Sequence, residues 1–140
     1  MKINIASNEV VHFIGIGGIG MSGLAQIMNN MGFNIQGSDL NRNKNTDRLI
    51  KSGMKVYFGH HQKNLNKATM IVISSAIKKD NGELIAARHK KLPVFKRGEM
   101  LANIVALKKK YCNCRFARKN NNNFFSCKYF GRGQIRSHNN

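Results

Sequence analysis

Short apolar runs alternate with amphipathic stretches over the first 107 residues of the chain. Each run has the length of a buried strand, and the stretches between the runs repeat apolar residues at helical spacing. The run TMIVIS, at residues 69–74, is the most strand-like because it is apolar and rich in β-branched residues. The predicted strands are residues 10–16, 33–37, 55–58, 69–74 and 92–95, and the predicted helices are residues 20–31, a segment that begins at Thr46, residues 80–90 and residues 98–107.

The order of these elements predicts an α/β fold. Strands that alternate with helices at this spacing form right-handed crossovers within a parallel sheet. The first run shows no polar alternation, which is typical of a strand buried on both faces. Pro93 is the only proline, and it suits an edge position for the last strand. We therefore expect a Rossmann-like open parallel sheet of about five strands with flanking helices.

The first predicted strand ends in glycines with the pattern Gly15-x-Gly17-x-x-Gly20, and a predicted helix follows at once. Glycines let the backbone turn tightly and approach an anion closely. The N-terminus of the helix directs unpaired N–H groups and its positive dipole end at that anion. The pattern predicts a site for the diphosphate of a nucleotide or sugar nucleotide. The alternative is a glycine turn that serves only the close packing of helix on strand.

Polar groups follow three other predicted strands, and the carboxyl ends of parallel strands share the edge where ligands bind. Asp39 has the spacing of a carboxylate that binds ribose hydroxyls, and a turn residue is the alternative. Ser74 and Ser75 are placed to donate to phosphate or sugar oxygens, or to satisfy the backbone of a turn. His60 and His61 are adjacent loop histidines without a carboxylate partner in the sequence, a pattern more typical of solvated side chains than of ligands.

The amino-acid composition limits the possible partners and functions, and it leaves the predicted fold unchanged. The net charge of +18 suits a nucleic-acid partner, but the basic residues are spread over several elements without an arginine–aromatic stripe, so we expect none. The chain has no run of 18 apolar residues and no signal-peptide pattern, so we expect no membrane partner and a cytoplasmic location. No nucleophile–base pair or metal-ligand cluster emerges, so we predict no catalytic residue and no metal site.

Five motifs occur in order: HFIGIGGIGMSGLA at 12–25, GSD at 37–39, GH at 59–60, SSAI at 74–77 and RGEML at 97–101. Together they resemble the N-terminal domain of the UDP-N-acetylmuramate–L-alanine ligases of the Mur ligase family, over about residues 10–107. The resemblance implies a domain that binds UDP-N-acetylmuramate, with the diphosphate on the glycine turn. The binding residues that it implies are Gly15, Gly17, Gly18, Ile19, Gly20, Ser22, Ser38, Asp39, His60, Ser74, Ser75 and Ala76.

Enzymes of this family have two further domains. One binds ATP and magnesium through a GTHGKTTT-type loop, and the other helps to bind the amino acid. This chain shows no such loop, so the resemblance implies that it holds no cofactor and is inactive alone, unless a downstream fragment supplies the ATP and C-terminal domains. Two other functions stay open from the residues: a small NAD(P)-binding oxidoreductase module that uses the glycine turn and Asp39, and a basic nucleic-acid-binding protein.

The stretch after Lys110 differs from everything before it. It holds all three cysteines and no acidic residue, and it reads YCNCRFARKNNNN where the family has a strand and the ATP loop. Residues 115–123, decoded one base out of frame, give Gly-Ser-His-Gly-Lys-Thr-Thr-Thr-Thr, which is the family's loop. We therefore divide the chain into a polar lead-in at residues 1–9, the domain at 10–107 and an aberrant, frameshifted tail at 108–140, which we expect to be disordered.

The frameshift hypothesis predicts one extra base near residues 108–110, where three lysines indicate an A-rich tract. Resequencing the DNA across these codons tests it. We expect that removing one base restores the ATP loop. Codons that do not encode the loop in the neighbouring frame would contradict the hypothesis.

Overall fold

The computed structural model describes residues 8–113, and the side chains of residues 8–109. Strands and helices alternate along this part of the chain, with one short 3₁₀ turn after the third strand. The elements are β1 (Val10–Ile14), α1 (Ile19–Asn30), β2 (Asn34–Asp39), α2 (Lys44–Lys51), β3 (Lys55–Phe58), the 3₁₀ turn (Gln62–Leu65), β4 (Met70–Ile73), α3 (Gly82–His89), β5 (Val94–Lys96) and α4 (Arg97–Asn113).

The five strands form one sheet in the order β3-β2-β1-β4-β5, and every neighbouring pair is parallel. This confirms the predicted open parallel α/β sheet with flanking helices. The chain runs outward from β1 to one edge and then crosses back to β4, so the carboxyl ends of β1 and β4 adjoin the point where the strand order reverses. Ligands of such sheets bind at that point.

The core lies on both faces of the sheet. On one face, Val11 and Phe13 of β1 pack with α1 and α4 in a cluster of buried residues. On the other face, Ile14 packs with α3 and the segment around the 3₁₀ turn. Successive strand residues point to opposite faces, so His12 of β1 faces α3. His12 and its neighbours Val11 and Phe13 are all fully buried.

Several boundaries differ from the sequence-based expectation. β1 ends at Ile14 rather than at residue 16, because Gly15 has a φ of +80° and turns the chain out of the sheet. α4 begins at Arg97 and continues to Asn113, past the expected end at residue 107, since no glycine or proline interrupts it. The first seven residues of the expected lead-in and residues 114–140 of the expected disordered tail lie outside the described residues. Within residues 8–113, no helix has both the length and the apolar character needed to cross a bilayer.

The start of α3 also corrects an expectation. The sequence favours Asp80 as the N-cap with Glu83 completing a capping box. In the structure Asn81 is the N-cap, and its side-chain oxygen accepts hydrogen bonds from the N–H groups of Glu83 and Leu84 at 2.9 and 3.3 Å. The Glu83 side chain is therefore not needed for capping and turns into the protein, where it is fully buried.

The close packing of β2 on the loop after β1 leads to a stability prediction. A Cβ atom at Gly37 would lie 2.6 Å from Ile16 Cδ1 and 2.8 Å from the Phe13 carbonyl oxygen. Gly37→Ala should therefore lower the free energy of unfolding by about 2–3 kcal/mol, measured by urea denaturation. Gly23 inside α1 has open space around its Cβ position. Gly23→Ala is the matched control and should raise stability by roughly 0.5–1 kcal/mol. Equal stability of the two variants would contradict this packing.

Candidate functional site

The glycine loop after β1 is fixed by hydrogen bonds to the end of β2. The N–H groups of Gly15 and Ile16 both donate to the Ser38 carbonyl oxygen, at 2.8 and 3.0 Å. The N–H of Gly17 donates to Asp39 Oδ2 at 2.8 Å. These three bonds hold the loop at the carboxyl edge of the sheet, while its predicted binding of an anion stays a prediction.

The loop has no room for a side chain at Gly17. A Cβ atom there would lie 2.7 Å from both Asp39 Oδ2 and Asn43 Nδ2. The Gly17 carbonyl oxygen accepts from the side-chain amides of Asn43 and Asn45, at 3.3 and 2.9 Å. Asp39 Oδ1 meanwhile accepts from the Asn41 N–H at 3.1 Å. Asp39 thus acts as a turn residue, which was the alternative to ribose binding, and it also supports the glycine loop. Its contact with a ribose stays a prediction.

The first turn of α1 lies at the end of this loop and is electropositive. Gly18 is its N-cap and provides no side-chain oxygen, and no acidic residue occupies the first turn. The N–H groups of this turn therefore face outward with the positive end of the helix dipole. Ile19 beside them is 88% exposed. Ser22 lies one turn further, and its hydroxyl donates to the Ile19 carbonyl oxygen at 3.1 Å.

Arg97 brings a cation against the same turn, a position that the sequence does not indicate for this residue by itself. A Cβ atom placed on Gly20 would lie 2.6 Å from Arg97 Nη1, so the guanidinium lies directly on the Gly20 backbone. Arg97 is exposed and is the first residue of α4, immediately after β5. The RGEML motif contains this arginine, but its approach to the glycine loop depends on how α4 packs against α1.

A buried cluster of polar side chains lies beside the loop, on the α3 face. At its centre the Glu83 carboxylate accepts from the Ser38 hydroxyl at 2.5 Å and from Asn64 Nδ2 at 2.7 Å. His60 Nδ1 lies 3.2 Å from Glu83 Oε2 and 2.9 Å from Ser38 Oγ. The side chain of Ser38 is fully buried and that of His60 is 11% exposed. Ser38, predicted as a binding residue, therefore uses its hydroxyl within the protein.

His12 closes the cluster from the sheet. Gln36 Nε2 lies 3.2 Å from His12 Nδ1 and donates to the Asn64 carbonyl oxygen at 2.9 Å. Because this amide nitrogen is a donor, Nδ1 is the acceptor, and the ring hydrogen of neutral His12 is on Nε2. Nε2 lies 3.4 Å from Glu83 Oε2. Within the described part of the chain, no buried side-chain nitrogen or oxygen lacks a partner.

Opposing effects set the protonation of Glu83. Burial by itself raises the pKa of this carboxyl group. Hydrogen bonds from His12, Ser38 and Asn64, together with the electrostatic interaction with His12, lower the pKa further than burial raises it. The net result is a pKa below the ordinary 4.5, so Glu83 is an ionised carboxylate at neutral pH.

The serines after β4 border the loop from the other side. A Cβ atom on Gly15 would lie 3.5 Å from Ser74 Cβ, which places Ser74 in contact with the loop. The Ala76 N–H donates to Ser74 Oγ at 3.4 Å, as the turn interpretation predicts. Ser75 and Ala76 are exposed. The structure thus brings the glycine loop, Asp39 and Ser74–Ala76 to one edge, and no group of three potential metal-ligating residues occurs among the described residues.

Sequence motifs alone missed part of this site. Glu83 has the position of a helix cap in the sequence, and only the sheet places it against His60. His12 belongs to an apolar run. A histidine in a strand that is buried on both faces indicates that a polar partner exists, and the structure shows that this partner lies on α3. Asn64 lies in a loop whose sequence carries no recognisable pattern.

Comparisons with known proteins place this chain in one family. A model described as the Mur ligase family, catalytic domain, matches residues 10–109. The UDP-N-acetylmuramate–L-alanine ligase of Pelagibacter ubique (strain HTCC1062) is 62% identical over 109 residues, which are 78% of this chain and 24% of that protein. The corresponding ligase of Azorhizobium caulinodans is 54% identical over 98 residues, 70% of this chain and 21% of that protein.

Solved structures agree. The UDP-N-acetylmuramate–alanine ligase of Thermotoga maritima superposes with a TM-score of 0.68 at 29% identity, over 71% of this chain and 23% of that one. The UDP-N-acetylmuramate:L-alanyl-γ-D-glutamyl-meso-diaminopimelate ligase of Neisseria meningitides gives 0.60 at 32% identity, over 64% and 28% of the two chains. The chain thus spans about a quarter of the length of the relatives it matches.

The lowered pKa of Glu83 predicts an acid-dependent loss of stability. A carboxyl group whose pKa is lower in the folded state stabilises the fold above its unfolded pKa, and this stabilisation disappears as the pH falls below about 4.5 through the folded value. Glu83→Gln should cost about 2–4 kcal/mol at pH 7 in chemical denaturation, since it removes the charged acceptor of a buried cluster. The difference from the unmodified chain should shrink at pH 3.

Asp47→Asn is the matched control. Asp47 pairs with Arg42 at 2.6 Å on the surface, where the two side chains are 42% and 70% exposed. Such a pair contributes less than about 1 kcal/mol. A Glu83→Gln chain as stable as Asp47→Asn at pH 7 would contradict the central role of Glu83.

Proposed function

Because the chain belongs to the Mur ligase family, we propose that residues 10–107 form its UDP-sugar-binding domain and hold the UDP part of UDP-N-acetylmuramate. The observation that carries this proposal is the glycine loop tied to β2 beside Arg97 and the uncapped N-terminus of α1. Backbone N–H groups, a helix dipole and a guanidinium together favour a diphosphate.

The remaining predicted residues take roles around that diphosphate. Gly15, Gly17 and Gly18 shape the turn that presents the uncapped N–H groups at the start of α1 to the phosphate oxygens, with Ile19, Gly20 and Ser22 on the same turn. Asp39 holds the Gly17 N–H and borders the nucleotide. The exposed Ser75 and Ala76 contact the sugar side, with Ser74 between them and the loop. Ser38 supports the loop through its carbonyl oxygen.

Ligation needs parts that this domain does not supply. No group of three potential metal ligands occurs among the described residues, and the buried Ser38 hydroxyl is held by Glu83. In our proposal ATP and magnesium are bound by a domain outside the matched quarter of the relatives, so the chain by itself binds the nucleotide sugar without joining it to L-alanine. A separate downstream fragment with the ATP and C-terminal domains would be its partner. We place the chain in the cytoplasm.

Isothermal titration of the full chain tests the proposal against its alternatives. We expect binding of UDP-N-acetylmuramate and no binding of NADH or duplex DNA, because the chain belongs to the Mur ligase family and its curated relatives are named for that UDP-sugar. Incubation with ATP, magnesium and L-alanine should release no phosphate. Binding of NADH without the UDP-sugar would favour the oxidoreductase module, and binding of DNA alone would favour the nucleic-acid function.

Arg97→Ala tests the electrostatic part of the site. Removing the guanidinium should weaken UDP-N-acetylmuramate binding about tenfold, since a hydrogen bond to a charged group contributes roughly 1.5–3 kcal/mol. Lys96→Ala is the control, because Lys96 is the preceding exposed cation on β5. Equal weakening by both substitutions would show a general charge effect and contradict a specific role for Arg97.

A further inference from the structure

His60 is, with Ser38, one of two predicted binding residues that take part in the buried polar cluster. It follows the end of β3, and Ser38, its partner in the cluster, also holds Gly15 and Ile16 of the glycine loop through its carbonyl oxygen. The imidazole and the loop are therefore attached to the same residue of β2. His60 follows the carboxyl end of β3 and so lies at the same edge of the parallel sheet as the glycine loop.

The hydrogen bonds of the cluster determine which ring nitrogen of neutral His60 carries the hydrogen. Glu83 is an ionised carboxylate and accepts only. The Ser38 hydroxyl donates its single hydrogen to Glu83, so Ser38 Oγ is an acceptor toward His60. His60 Nδ1 faces both oxygens, at 3.2 and 2.9 Å, and must be the donor. The lone pair of the neutral ring is then on Nε2.

Nε2 is the part of His60 that remains available. No hydrogen bond joins it to another described residue, and in that part of the chain no buried side-chain nitrogen or oxygen is without a partner. Nε2 is therefore reached by solvent, in agreement with the 11% exposure of the side chain. A bare imidazole nitrogen at a nucleotide-sugar site is an acceptor suited to a hydroxyl group.

We propose that Glu83 is a positioning residue of the binding site, which fixes His60 through Nδ1 so that Nε2 accepts a hydrogen bond from a hydroxyl of the bound sugar nucleotide. This inference rests on the proposed function. Neighbouring His61 differs, because its ring lies against Gly59, with Nε2 2.9 Å from the Cβ position there, and among the described residues no hydrogen bond or ion pair joins it to Glu83.

Binding measurements on the full chain and on four variants of it test the coupling. His60→Ala should weaken UDP-N-acetylmuramate binding about tenfold, and Glu83→Gln roughly fivefold, whereas His61→Ala should change it less than about twofold. In the His60→Ala background, Glu83→Gln should have no further effect, because a residue that acts through another shows no independent contribution. UDP alone serves as the second ligand. If the substitutions weaken the binding of both ligands, the hydroxyl belongs to the ribose. If they weaken only the binding of UDP-N-acetylmuramate, the hydroxyl belongs to the N-acetylmuramate part.

Nitrogen-15 NMR of the imidazole rings gives a readout independent of any variant's stability. We expect hydrogen on Nδ1 and a bare Nε2 in neutral His60 of the unmodified chain, and a perturbed Nε2 signal on adding UDP-N-acetylmuramate. Hydrogen on Nε2, or additive effects of the two substitutions on binding, would overturn the inference while leaving the proposed function intact. Absence of binding by the unmodified chain would overturn both, even if NMR confirmed the ring geometry.

Discussion

Ser38 carries the interaction on which the candidate site depends. Its backbone carbonyl oxygen accepts two N–H groups of the glycine loop, and its hydroxyl donates to the Glu83 carboxylate. One residue of β2 thereby joins the anion-binding turn on one side of the edge to a buried charge on the other. Its side chain has no exposed area, so its part in the site is to hold other groups.

The buried carboxylate explains why polar residues occur where an apolar core is expected. Glu83 alone would be costly inside the protein, because an unpaired buried charge loses its hydration. Donors from β1, β2, the loop after β3 and the 3₁₀ turn converge on it instead. These contacts bring together segments that are distant in sequence, and they fix the face of α3 that meets the sheet.

The sequence predicted the fold in detail because its strongest patterns are local. Apolar runs, the glycine motif and helical spacing gave all five strands, and parallel topology then placed Asp39, His60 and Ser74 at one edge. Contacts that depend on tertiary packing were beyond such patterns. The role of Glu83 needs β1 and α3 to face each other, and the position of Arg97 needs α4 to lie across the start of α1. The apolar periodicity of α4 ends near residue 107, but the helix continues to Asn113 because no glycine or proline stops it.

The residues of the candidate site all precede residue 108, and this position matters for the synthesis of the chain. Its contacts join residues between His12 and Arg97, all of them upstream of the three lysines at 108–110. In a chain synthesised from its N-terminus, these groups leave the ribosome before anything encoded after the lysines. The residues of the candidate site are therefore all encoded upstream of the lysine codons, and an extra base at those codons would leave every one of them unchanged.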